Sequence, residues 1–112
     1  MINDTLIKFI SDTFLIRDCF IEKLSFIYSK GLSIQMEFKT AHGERRQIRF
    51  NGIKEYSFFN NNFEEGENLI SHYKLFKQQE YYYFSFDPYT ENAVVETDDN
   101  DYLIFSDFEL IE

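Results

Sequence analysis

Apolar positions change their period along this chain. Near the start, Ile2, Leu6, Ile7 and Ile10 recur at helical spacing, and Asn3 or Asp4 is placed to cap the first turn. The spacing predicts a short helix over residues 2–11. From residue 12 onward the period moves towards two. The run "CFIEKLSFIY" is rich in β-branched and aromatic residues, and "SKG" after it reads as a turn. "LSIQMEFK" then alternates: Leu32, Ile34, Met36 and Phe38 fall on one face, Ser33, Gln35, Glu37 and Lys39 on the other. That is the pattern of a half-buried strand. After the loop "TAHGE", "RRQIRF" places Ile48 and Phe50 inward and Arg45, Gln47 and Arg49 outward, so the two runs form a hairpin. Glu37 is expected across from one of those arginines.

"GIKEYSFF" predicts a further strand and "NNNFEEGEN" a polar connection. "LISHYKLF" is the next strand, residues 77–79 a turn, and "YYYFSF" its hairpin partner. Asp87 and Pro88 begin a turn, because proline fixes φ and aspartate bonds nearby amides. "AVVET" and "YLIFSDFELIE" read as two last strands joined by "DDND". The pattern is a mainly all-β chain of about seven or eight short, mostly antiparallel strands with a short N-terminal helix. Consecutive hairpins of this kind build a sandwich or a partly open barrel. At 112 residues the whole chain, 1–112, is expected to be a single domain.

Composition adds to this in three places. Aromatics reach 20%, all Phe and Tyr. Ile, Asn and Lys are abundant too and Pro and Gly scarce, as in AT-rich genomes, so the aromatic excess is not itself a functional signal. The single cysteine, Cys19, cannot form an internal disulfide, and "MINDTLIKFISDTFLIRDCF" has neither the basic start of a secretion signal nor the unbroken apolar run of a membrane span. These features point to the cytoplasm and away from a membrane. The net charge of −9 is uneven: residues 1–54 hold nine Lys/Arg against six Asp/Glu, and residues 55–112 hold two Lys against fourteen acids. From residue 80 onward there are ten acids and no Lys or Arg. Such a surface repels phosphate backbones, so nucleic acid is excluded as a partner, and it attracts basic ones.

"ETDDND" lacks the glycine and the ligand spacing of an EF-hand loop, so a turn is favoured and no metal is expected. In "YYYFSF", Tyr82, Phe84 and Phe86 form a core strip. Tyr81, Tyr83 and Ser85 resemble a stacking platform, but the neighbouring charges are acidic, and amphipathic cover is favoured over base stacking. A Cys19–His72 dyad has the right residue types, yet nothing in the spacing joins them, and His42 falls in a loop. Glu64, Glu65 and Glu67 read as solvated surface. No catalytic residue and no cofactor is expected. The "ERRQIRF" cluster reads as a strand protected by its charges or paired with the acidic third.

Two segments carry a resemblance. "IRDCFIEKLSFIYSKGLSIQMEF" has an Asp-Cys entry followed by strand, turn and strand. "YYYFSFDPYTENAVVETDDNDYLIFSDFELIE" has an aromatic strand, an Asp-Pro turn and an acidic closing hairpin. Together, over about half of the chain, they resemble small β-rich bacterial proteins of unassigned function, among them immunity proteins found beside polymorphic toxins. The resemblance implies a protein that neutralises a toxin by binding it, without chemistry of its own.

The expected function is therefore a non-enzymatic acidic domain that binds a basic protein. Asp87, Glu91, Glu96, Asp98, Asp99 and Asp101 are the expected partner-binding residues, several of them projecting from turns at one end of the sheet, and joint replacement of Asp98, Asp99 and Asp101 is expected to leave stability nearly unchanged. The alternatives are a structural subunit, homodimeric through an edge strand, and a β-barrel that binds a small ligand.

Overall fold

The computed structural model describes residues 1–58 and 68–111. Its helix α1 spans Asn3–Thr13. Nine strands follow among the described residues: β1 Cys19–Tyr28, β2 Leu32–Lys39, β3 Arg45–Asn51, β4 Glu55–Ser57, β5 Asn68–Ile70, β6 Lys74–Gln78, β7 Tyr81–Asp87, β8 Asn100–Phe105 and β9 Asp107–Ile111. They form two antiparallel sheets, one in the order β5-β1-β2-β3-β9 and one in the order β4-β8-β7-β6. One sheet curls into half a barrel. The fold is mainly β with one short helix, as the periodicity predicts.

The helix runs slightly past its expected end and lacks the expected cap. Ile2 occupies the N-cap position with no side-chain cap bond. The two residues expected to cap it bind strands instead. Asn3 Oδ1 accepts the Phe108 amide at 3.0 Å, and Asp4 accepts the Tyr82 hydroxyl at 2.8 Å. The helix is thereby tied to both sheets. The same segment covers the outer edge of β9, where Ile2 bridges Glu109 and the Leu110 amide donates to the Met1 carbonyl. An edge satisfied this way is closed to strand addition.

One core cluster takes residues from the helix and both sheets. Leu6 and Ile10 of α1 enter it with Ile34, Met36 and Phe38 of β2, Ile48 and Phe50 of β3, and Phe84 and Phe105 of the other sheet. Phe50 stacks on Phe84 at 5.6 Å and on Phe108 at 5.9 Å, and meets Phe105 edge-on at 4.8 Å. Offset and edge-to-face pairs suit the ring quadrupole. Each large apolar side chain buried here contributes about 1.5–3 kcal/mol.

The β1–β2, β2–β3 and β6–β7 hairpins form as predicted. Glu37, however, lies across from Gln47 and Lys23, and Arg49 donates to Gln35 instead, at 2.9 and 3.1 Å. Two apolar runs that read as single strands are each broken. "LISHYKLF" bends at residues 71–73, so β5 joins one sheet and β6 the other. "YLIFSDFELIE" breaks at Ser106, and β8 and β9 likewise part company. At that corner Gly52 has φ +62°, and a Cβ on it would lie 2.0 Å from Ser106 Oγ. Only glycine fits there. "AVVET" is not a strand: residues 88–99 cross from β7 to β8 as an irregular strap. Of "GIKEYSFF", the strand portion among the described residues is β4, and Glu64, Glu65 and Glu67 lie outside the described residues.

Candidate functional site

The strap covers the outer face of β7. Alternation puts Tyr82, Phe84 and Phe86 into the core, as expected, but Tyr83 and Ser85 on the opposite face are buried as well. Tyr83 stacks on Tyr102 at 5.7 Å and tilts against Phe76 at 5.4 Å. Ser85 donates to the Asn100 carbonyl at 2.7 Å. What removes both from water is the strap and its polar anchor.

That anchor is Lys74, at the start of β6. Its side chain is 0% exposed. The ammonium donates to the Val94 carbonyl at 2.6 Å, to Glu96 Oε1 at 2.8 Å, and to both oxygens of Asp99 at 2.9 Å. Its three protons are all engaged. Asp99, 4% exposed, receives in addition the Tyr83 hydroxyl at 2.8 Å and the backbone amides of Tyr89 at 2.9 Å and Glu96 at 3.0 Å. One carboxylate thus fixes both limbs of the strap to the sheet. Thr90 adds a hydroxyl bond to Glu96 Oε1.

The charges follow from this geometry. Burial pushes the Asp99 carboxyl up, but the bonds from Lys74, Tyr89, Glu96 and Tyr83 outweigh it and leave the group below its ordinary value. Burial pulls the Lys74 ammonium down, and Glu96 and Asp99 more than reverse this. Glu96 is lowered by its bonds from Lys74 and Thr90. Tyr83 is pushed well above the ordinary phenol by burial and by Asp99. A buried pair of this kind stabilises only because its remaining bonding capacity is filled.

The six acids expected to face a partner therefore divide. Asp99 and Asp101 are buried, which overturns the expectation that they project from turns. Glu96 pairs with Lys74, and Glu91 pairs with Arg17 at 3.2 Å. Asp87 and Asp98 are exposed, and neither makes an ion pair among the described residues. Beside them the strap exposes Tyr89, Val94 and Val95. Sequence reasoning missed Lys74, which falls inside the predicted strand "LISHYKLF" with no role of its own. A signal was present: ten acids from residue 80 onward have no Lys or Arg among them, so any cation near in space comes from another part of the chain.

Other chemistry stays dispersed. Cys19 is fully buried, and burial pushes its thiol up to about 12. His72 bonds the neighbouring Ser71 hydroxyl, and His42 sits in the β2–β3 loop. Among the described residues no three His, Cys, Asp or Glu side chains are grouped to hold a metal ion, and no helix is long and apolar enough to cross a membrane. No family model, curated protein or solved structure matches the chain.

Proposed function

We propose that this chain is a non-enzymatic, cytoplasmic domain that binds a basic protein through the outer surface of the strap. Its most concrete form is an immunity protein that neutralises a basic bacterial toxin. The observation that carries the reading is the division of the acids. Lys74 consumes Asp99 and Glu96 to hold the strap, and Asp87 and Asp98 are left exposed and without an ion pair among the described residues. A loop held rigid from beneath presents its outer charges at little entropic cost on binding. Like charges without counter-ions also steer a cationic partner into encounter. Tyr89, 66% exposed, supplies an aromatic beside them, the residue type that dominates interface energies.

The test is association with the toxin-like product of an adjacent reading frame, measured at two salt concentrations. Binding should weaken at high salt, and Asp87→Asn with Asp98→Asn should slow association and flatten the salt dependence. Binding that ignores both salt and these substitutions would sink the proposal.

One observation favours a second reading, a homodimer. Strand β6 pairs only with β7 among the described residues, which present no partner for its other edge, where a second copy would add. Lys77 on that strand works against such pairing. Sedimentation over a wide concentration range separates the two readings. The small-ligand barrel draws no support from the interior, which the rings of Phe50, Phe84, Phe105 and Phe108 fill.

A further inference from the structure

Beneath the strap, Lys74, Glu96 and Asp99 meet in the geometry of an acyl-transfer site. The nucleophile is Lys74, whose ammonium lies 2.9 Å from both oxygens of Asp99. Equal distances to the two oxygens put its nitrogen roughly 3–3.5 Å from Asp99 Cγ, the separation of a reacting pair. The base is Glu96, whose Oε1 accepts from the same ammonium at 2.8 Å. Thr90 donates to that oxygen and orients it. A nucleophile bonded to a base, with the base held by a third group, is the arrangement that activates amines and hydroxyls.

The electrophile is Asp99. Its Oδ2 receives the Tyr83 hydroxyl at 2.8 Å and the Glu96 amide at 3.0 Å, and its Oδ1 receives the Tyr89 amide at 2.9 Å. Donors fixed on a carboxyl oxygen stabilise the negative charge that develops there when the carbon is attacked. The Lys74 and Asp99 side chains are both fully buried, so water that would hydrolyse an amide between them is kept out. As a stability device alone the cluster is a weak one, since a buried ion pair contributes no more than apolar side chains of the same volume.

The geometry points to an intramolecular isopeptide bond, an amide between Lys74 Nζ and Asp99 Cγ that the chain forms on itself with Glu96 as proton carrier. The ion pair is the reactant and the amide the product. One proton passes from the ammonium to Asp99 Oδ1, along the bond that joins them. The lone pair freed on Nζ attacks Cγ, and the negative charge comes to rest on Oδ2, under the Tyr83 hydroxyl and the Glu96 amide. Glu96 takes a second proton from Nζ and gives it to Oδ1, which leaves as water. The charge on Oδ2 returns to the carbonyl bond, one proton stays on the amide nitrogen, and Glu96 ends as it began. No other reactant is consumed. The raised Lys74 and lowered Asp99 values favour the ionic form, so the neutral pair is scarce and the bond closes slowly after folding. Holding the two groups in contact works against that scarcity, with effective molarities of about 10⁵–10⁸ M in well-oriented cases. Stability measurements on the ion pair belong to chain that has not yet reacted. The inference is independent of the basic-partner reading; the bond would lock the strap whatever binds its outer surface.

The experiment follows the intact mass of the purified full chain after refolding. The parent should become lighter by one water molecule. Trypsin should then leave residues 55–77, uncut after Lys74, joined to residues 78–112, because no Lys or Arg follows Lys77. Lys74→Arg should keep its full mass. Glu96→Gln keeps an acceptor oxygen for Lys74 and Thr90 but carries no proton, and should slow the loss of water by about 10²- to 10⁴-fold while its amide shifts stay as dispersed as the parent's. A parent chain that holds its full sequence mass through prolonged incubation would overturn the proposal, whatever the variants do. So would a water lost within residues 78–112 alone, the mark of a succinimide. A Glu96→Gln chain that closes the bond as fast as the parent would overturn the role given to Glu96.

Discussion

Between Tyr82 and Phe86 the two faces of β7 are both shut off from water, and by opposite means. On the inner face Phe84 touches the rings of Phe50, Tyr73 and Phe86, at 5.6, 6.4 and 5.5 Å. That burial is non-directional and scales with area. On the outer face Tyr83 and Ser85 lie under a strap held by the Lys74 ammonium and the carboxylates of Asp99 and Glu96. That closure is directional, and it depends on every partner being present. The inner face sets how stable the domain is. The outer face sets which conformation an irregular loop adopts, and so which side chains the molecule displays.

Four measurements probe the comparison. Phe84→Ala should have the largest effect, about 3–5 kcal/mol, which would leave a domain of ordinary stability barely folded. Denaturant melts read it directly. Lys74→Met should follow, at roughly 3 kcal/mol, near the low end for a broken buried pair because Asp99 keeps the hydroxyl and the two amides. Adding Asp99→Asn to Lys74→Met should cost less than the two single changes summed, since the pair is then removed together. Strict additivity would mean that the two groups act independently, and the comparison would lose its polar half. Tyr83→Phe should cost about 1.5–3 kcal/mol, the value of a bond to a charged acceptor.

The pH dependence separates the faces without mutation of the core. Asp99 and Glu96 lie below their usual values of 3.8 and 4.5 in the folded chain. Lowered carboxylates stabilise fully above those usual values, and the contribution is lost as pH falls through the lower folded ones. Acid melts should therefore lose stability below about pH 4. The Lys74→Met, Asp99→Asn protein should lose less over the same range. Equal acid limbs would mean that the strap contributes nothing to the titration. The smallest effect belongs to the two exposed acids. Asp87→Asn with Asp98→Asn should change stability by no more than about 0.5 kcal/mol, the range of ordinary surface substitutions.

Much of the sheet was legible because alternation is a local signal. Ile34, Met36 and Phe38 against Ile48 and Phe50 fix which face turns inward, and the hairpin follows. The breaks at residues 71–73 and at Ser106 were not legible. An apolar run that crosses from one sheet to the other keeps its composition while its partners change. "AVVET" misled for the converse reason. Val94 and Val95 have strand propensity, yet the backbone there answers to Lys74 and Asp99, 25 residues apart in sequence. The candidate site failed in the same place. Counting acids identified the stretch, but which of them are spent on Lys74 is a tertiary fact.

The order of pairing has a consequence for synthesis. Strands β1, β2 and β3 are successive hairpins and can pair as they leave the ribosome. Strand β3 meets its other neighbour only when β9 arrives, and β4 waits likewise for β8. Until then the nascent chain carries Ile48 and Phe50 on a strand with one open side, and the rings that will cover them are not yet made. Such long-range closure makes folding slow, in the ms–s range of all-β domains. It also leaves a window in which neighbouring nascent copies can stick to one another. Slowing translation should not help this protein. Faster completion of its last strands should.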